Sequence, residues 1–530
     1  MSADAAKIAQ RGEELIAARS VHETTWRECA DYSFPLRGDG LGGDLILDAS
    51  TGQTKRAELL DGTATDACRV LASALQNGLT PSNALWAMPH VPGADDEGKA
   101  YLDNAARILH EEIHTANFDA AGFECMLDMT WAGWFGLYVD EGRDGFHFEQ
   151  WPLAELYCAS SVQGGGIDIV YRKYSMTALQ AMQQYGNKLS AQAQQLAASK
   201  PNDMLWFWRA IYPRTVYDPQ ARIARNMRYA SCTVEIATKH LVIESGYQEL
   251  PIIVPRWSML PRSVYAVGPM FDALPDTKEL NELKLMEKQA AALNILPPFK
   301  ARDDGVLNVG SVKRLRSGKL YAVEDIDNIQ PIVTNSNFQL ALTSEERLQA
   351  AIRRTLMADQ LQWKDGSPQM TATEVHARIA LIRQMLGPIY GRLQAEYLTP
   401  LFERCYAIAA RAGILGVPPE SIANQPYTVK YQSPLARAQK LEDVTAIQQF
   451  VSTVAPIVQL KPAALDLIDE DDQVRKLADA LGVKVRSAQE AAQYRQQVQQ
   501  QQQAQQQQAQ LQNTQQAALQ SVLDRSVKQA

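Results

Sequence analysis

The chain of 530 residues has no run of about 18 or more apolar residues, so no segment reads as a membrane span. Its first twenty residues, MSADAAKIAQRGEELIAARS, are polar and amphipathic and lack the apolar centre of a signal peptide. Cysteine is sparse. Cys29, Cys68, Cys125, Cys158, Cys232 and Cys405 are scattered with no CxxC pair, which argues against a zinc ribbon or a disulfide framework and suits a reducing compartment. Positive charge is also short, with 52 Lys and Arg against 60 Asp and Glu and a net charge of −8. A protein that grips DNA through its phosphates usually carries a basic domain. The acidity therefore argues against tight, static DNA binding, but not against DNA that slides past.

What is present is the composition of a folded soluble protein, 46% hydrophobic and 21% charged, with length for about three or four domains. The first thirty residues read as a helix, with Ile8, Leu15 and Val21 among Ala, Glu and Arg. A second helix is expected over Ala57–Asn77, ended by Gly78 as a C-cap. Residues 100–134 read as a helix pair. Gly136–Val139 and Phe146–Phe148 alternate like strands. Tyr157–Val170, Trp206–Val216 and Cys232–Ile243 suggest more strand, and Met176–Tyr185 a helix. Trp131, Trp134 and Phe135 are expected in the core, and Trp206, Phe207 and Trp208 on a strand with one buried face.

The most informative stretch is Pro251–Lys300. Ile252, Ile253 and Val254, between Pro251 and Pro255, suggest an edge strand. Arg256, Trp257, Arg262 and Tyr265 then crowd around Pro261, Gly268 and Pro269. A charged helix is expected from Asp276, as N-cap with Glu279 in a capping-box position, to residue 294, followed by Pro297-Pro298. A further helix spans 338–357 and a polar loop 358–371. A long apolar stripe then runs from Val375 to Leu401, with a kink at Gly387-Pro388. The end of the chain is rich in glutamine.

Three motifs resemble enzyme signatures. His110-Glu111-Glu112-Ile113-His114 is a literal HExxH, and two histidines four apart on a helix could hold zinc with Glu111 as base. Asn117 and Ala120 stand where a metzincin needs Gly and His, and a polar helix face is the simpler account. Gly93–Lys99 matches GxxxxGK, but Ala100 replaces the magnesium-binding hydroxyl and Asp95, Asp96 and Glu97 would repel an anion. Gly38–Gly43 matches GxGxxG with no helix directly after it. The acidic run Asp469–Asp472 fits a solvated face.

The segment PIIVPRW…Y…GP…ALPD…LN closely resembles the head-to-tail connector (portal) proteins of short-tailed, T7-like bacteriophages. LTPSNALW, WFGLYVDEG, Thr371–Val375 with Arg378, and YQSPLARAQ resemble further segments of that family. The resemblance covers roughly residues 10–480. It implies an α+β, mainly α, portal fold: a wing over 1–275, stem helices 276–294 and 338–357, a clip at 295–337 and a channel loop at 358–371. A long kinked helix and wing return at 372–426 and a crown at 427–482 would follow, then a glutamine-rich barrel helix or disordered tail at 483–530.

The family further implies a dodecameric ring at one capsid vertex of the virion, at the head-tail junction, assembled in the bacterial host cytoplasm. Double-stranded DNA would pass through it. Terminase, major capsid and scaffolding proteins, tail adaptors and internal core proteins would be partners, with no membrane, cofactor, metal or catalytic residue. By resemblance, Gln362, Trp363, Lys364 and Asp365 would face DNA in the channel loop. Lys284 and Lys288, four apart on one helix face, would line the stem or pair with acids of adjacent subunits. Lys313, Arg314, Arg316 and Lys319 would meet DNA or a partner at the clip. The alternatives are a zinc-dependent hydrolase built on His110 and His114, and a coiled-coil scaffolding protein.

Overall fold

A computed structural model describes residues 4–41, 55–142, 145–219, 221, 223–295, 299–301, 329–331, 338–361, 387, 389–422 and 425–431. The chain divides into compact units at 1–435 and 436–530, and every described residue belongs to the first. The expected crown beyond residue 431, the glutamine-rich tail, and Lys313, Arg314, Arg316 and Lys319 lie outside the described residues.

The architecture is mixed helix and strand. Helix α1 (Ala5–Asp31) is capped by the Asp4 carboxylate, which accepts from the Ala6 and Lys7 amides. It lies on a five-stranded antiparallel sheet in the order β4 (Leu156–Ala159), β5 (Ile169–Thr177), β6 (Met204–Pro213), β7 (Tyr229–Glu235), β8 (His240–Tyr247). Gly12 permits the contact, because a Cβ there would stand 2.6 Å from the Trp208 ring. Arg19, buried on the same helix, donates to the carbonyls of Leu153, Ala154 and Leu156 and pairs with Glu23 at 2.7 Å.

The opposite sheet face carries two short helices, Ala178–Tyr185 and Ala191–Ser199. Phe207 packs with these helices and Trp208 with α1. The expectation of one buried face is thus corrected to two, since neighbouring strand residues point to opposite sides and both sides are covered. Thr177 forms a capping box with Gln180, so the helix begins at Ala178 rather than Met176.

A second sheet has the order β3 (Gly145–Trp151), β2 (Gly136–Gly142), β9 (Ile252–Ile253). The Pro-flanked dipeptide is an edge strand, as its prolines require. The expected helix at 57–77 instead spans Thr63–Leu79, with Gly78 inside its last turn and Thr80 as its cap. Residues 55–58 form a separate helical turn before it. Asp96–Thr115 and Phe118–Trp131 are the expected pair, and Trp131, Trp134 and Phe135 are buried as expected. Strand Thr428–Tyr431, expected at the start of the crown, pairs with β1 (Ala87–His90) within the first unit.

The charged helix begins earlier than Asp276. It runs from Pro269 to Ile295, 27 residues or about 40 Å. Proline suits a first helical position, where no amide donor is needed. Pro275 sits inside, and Asp276 is an interior residue rather than a cap. The start is fixed by a close backbone approach. A Cβ on Gly268 would stand 2.6 Å from the Thr130 carbonyl oxygen, and one on Gly133, at φ +82°, 2.0 Å from the Val267 carbonyl carbon. Only glycine at both positions lets the two segments touch. Further along, Gln394–Leu398 forms a π-helical turn ahead of Thr399–Arg411. Pro400 lacks an amide donor, and the wider turn accommodates that loss.

Candidate functional site: a latched helix pair

Pro269–Ile295 packs against Phe338–Thr355, and the two run in opposite directions. Their base is apolar and closed. Leu280, Ile352 and Leu356 are fully buried in the same cluster as Trp26, Trp131 and Trp134. Polar contacts surround it. Lys278 pairs with Glu28 at 2.9 Å, Asn281 accepts from the Leu60 amide at 2.8 Å, and Gln349 donates to Asp61 at 3.0 Å. Lys284 forms an ion pair with Glu345 on the facing helix and lies 3.7 Å from Glu287. Partial burial opposes the Lys284 charge, but the hydrogen bond and attraction of Glu345 outweigh it and raise the pKa above the usual lysine value.

Lys284 and Lys288 therefore have different surroundings. Lys284 is turned toward the second helix of its own chain, whereas Lys288 is exposed. Beyond the base, the pair shows apolar side chains to solvent: Leu285 is 45% exposed, Met286 55%, Leu293 45% and Leu342 53%. Leu285, Met286 and Leu293 stand at i, i+1 and i+8, one stripe on the helix side away from Lys284.

The lower end of the second helix stops at Thr355. Met357 takes a left-handed conformation, φ +59°, and Ala358–Leu361 forms a short helix. Ala358–Leu361, expected as the start of the 358–371 loop, is therefore helical, and residues 362–371 lie outside the described residues. Gln362, Trp363, Lys364 and Asp365 lie outside the described residues, as does the residue 388 half of the expected Gly387-Pro388 kink.

The Pro-Arg-Trp segment is a tie. Arg256, 3% exposed, makes a two-pronged contact with Glu396 at 3.0 and 2.6 Å. Trp257 donates its amide to the Gly133 carbonyl at 2.7 Å, and its own carbonyl accepts from Arg392 at 2.7 Å. Tyr265 stacks edge-on to Trp26 and accepts from the Cys158 amide at 2.9 Å. The segment thus joins the helix pair, both sheets and the π turn. Glu396, 140 residues away, carries no sequence signal for this role. The same holds for Glu345.

The enzyme-like motifs have structural duties. The Trp86 indole donates to Nε2 of His114 at 3.3 Å, and Nδ1 of His114 meets Asp119 at 2.8 Å. Nε2 of His110 contacts the Ser82 carbonyl at 3.1 Å, and Glu111 points to solvent. Among the described residues no group of three or more potential metal ligands occurs. In the GxxxxGK match, Asp95 caps its own helix by accepting from the Gly98 amide at 2.8 Å, where a phosphate would have to sit.

Residues 5–489 match the family model of the bacteriophage head to tail connecting protein. The chain is 28% identical over 500 residues to the probable portal protein of Bordetella phage BPP-1, covering 90% of this chain and 87% of the relative. It is 26% identical over 493 residues to the portal protein of Salmonella phage epsilon15, covering 89% and 86%. Together with a latched helix pair and histidines spent on structural bonds, these matches remove the zinc hydrolase from consideration. The chain belongs to the bacteriophage head-to-tail connecting protein family, which is structural and not enzymatic.

Proposed function

We propose that this protein is the portal of a short-tailed phage, a dodecameric ring at one capsid vertex through which double-stranded DNA is packaged and ejected. The observation that carries the ring is the helix pair. Its base is held by its own chain, while Leu285, Met286, Leu293 and Leu342 stand exposed on the outer half. Apolar stripes of this kind are stable in water when neighbouring copies cover them. A repeat of such pairs around an axis makes a wall whose inner face is hydrated and balanced in charge. Lys288 is the exposed lysine offered to that face, and Lys284 is held back by Glu345. Such a wall suits DNA that must slide, because few counterions are released at any one place.

The same reading assigns Gln362, Trp363, Lys364 and Asp365 to a channel loop and Lys313, Arg314, Arg316 and Lys319 to the clip. Terminase, tail adaptors, capsid and scaffolding proteins and internal core proteins are the proposed partners. Assembly takes place in the host cytoplasm, and the finished ring sits at the head-tail junction. Native mass measurement with negative-stain imaging tests the ring: about twelve chains around a central hole are expected, and a monomer or a rod would refute it. Replacing Trp363 and Lys364 with alanine should leave rings intact and impair DNA packaging or retention. Normal retention in that variant would remove the loop from the channel.

A further inference from the structure

In the connection between β6 and β7, the described residues 214–219, 221 and 223–228 are bonded back to the sheet. The Arg214 amide donates to the Arg228 carbonyl at 2.8 Å and the Asp218 amide to the Asn226 carbonyl at 2.9 Å, so the hairpin continues past its strands. Underneath, the Arg214 guanidinium donates to the carbonyls of Ala224 and Met227 at 3.0 Å and of Ser245 at 3.1 Å. Gln248 donates to the carbonyls of Asp218 and Ala221. Gly246 must be glycine, because a Cβ there would stand 2.0 Å from the Ala224 carbonyl oxygen. Glu244, almost buried, lies between Arg214 at 3.6 Å and Arg225 at 3.7 Å. A surface turn needs none of this support merely to connect two strands.

What the support holds up is apolar and basic. Val216 is 84% exposed, Ile223 67% and Tyr217 44%, all around one turn. Arg225 and Arg228 are exposed beside them, with Arg228 over the Tyr217 ring. By sequence the segment carries four arginines against one aspartate, in a chain whose net charge is −8. Aliphatic side chains fixed in water lose free energy unless something covers them, and a pre-ordered turn spends little entropy on binding.

We propose that this turn docks an acidic, aliphatic-bearing segment of a second protein. Arg225 and Arg228 would meet its carboxylates, while Val216 and Ile223 pack on its apolar side chains. Charge complementarity selects an acidic partner. The aliphatic side chains select protein over nucleic acid, since they offer phosphate nothing. The surface is separate from the helix pair and stands whether or not that pair lines a channel.

The test is a photo-crosslinking residue in place of Val216 in the full-length protein, assembled in infected cells, with the crosslinked peptide sequenced. The expected product is a peptide of another protein, net acidic and containing aliphatic residues. Arg225→Glu with Arg228→Glu should cut its yield about tenfold or more. Circular dichroism should stay that of the parent; because Arg225 also pairs with the nearly buried Glu244, Arg228→Glu alone, which leaves that pair intact, should lower the yield at an unchanged thermal midpoint. Ile223→Ser should reduce the yield by a smaller factor. Crosslinks only to DNA, only to a second copy of this chain or only to a basic peptide would overturn the proposal. So would no crosslink, or a yield indifferent to charge reversal.

Discussion

The two ends of the helix pair are built on opposite plans. At the base, Leu280, Ile352 and Leu356 are sealed among tryptophans, and Lys278, Asn281 and Gln349 are each bonded to the body. On the outer half, Leu285, Met286 and Leu293 face water with nothing of the same chain over them among the described residues. One helix thus changes its solvent along its length. Its near half is packed like a core, and its far half shows apolar side chains to water. The difference teaches that, among the described residues, the pair closes its core at the base and leaves its outer leucines exposed.

The comparison breaks most sharply where the base is tied down. Replacing Glu396 with leucine strands the buried Arg256 charge and should cost about 3–5 kcal/mol, read from denaturant unfolding. An unchanged midpoint would mean that the Pro-Arg-Trp segment is not a tie. Leu280→Ala leaves a cavity in the sealed base and should cost about 2–5 kcal/mol by the same measurement. On the outer half, Leu285, Met286 and Leu293 changed together to serine should alter the unfolding of the single chain by no more than about 0.5 kcal/mol each. Yet native mass spectra should show assembly lost. Intact rings in that variant would erase the proposed contrast between the two halves.

The smallest effect lies in the body, away from both. Burial first, and then His114, depress the pKa of His110 below its usual 6.5. Because the folded-state value is the lower one, stability is full above pH 6.5 and lost as pH falls through the folded-state pKa. His110→Gln should flatten that acid-side loss in thermal midpoint while leaving assembly unchanged. His22 and His90 shift in the same direction, so the slope should be reduced and not abolished.

Much of the local structure was legible because it is written in neighbouring residues. Two prolines around Ile252–Ile253 forced an edge strand, and the alternation at 136–148 gave the hairpin. The helix start near Asp276 misled for a definite reason. An aspartate with a glutamate three places on fits a capping box, but the true start depends on Gly268 pressed against Thr130, more than a hundred residues away. Trp206–Trp208 showed a strand, but whether one face or two is covered depends on helices placed there by later folding. Glu396 and Glu345 were illegible, because an acid in a polar stretch looks the same whether it meets water or a distant arginine or lysine.

The sequence by itself determined the family, through short proline, glycine and aromatic strings whose spacing sets backbone shape. It also determined which segments are helix and strand, since period and punctuation are local properties. Only the tertiary structure decided which lysine is spent on an internal partner and which stays exposed. It likewise decided which leucines close a core and which stay exposed. Burial and pairing depend on what arrives from far along the chain, and a periodic stripe of leucines carries no mark of what will cover it.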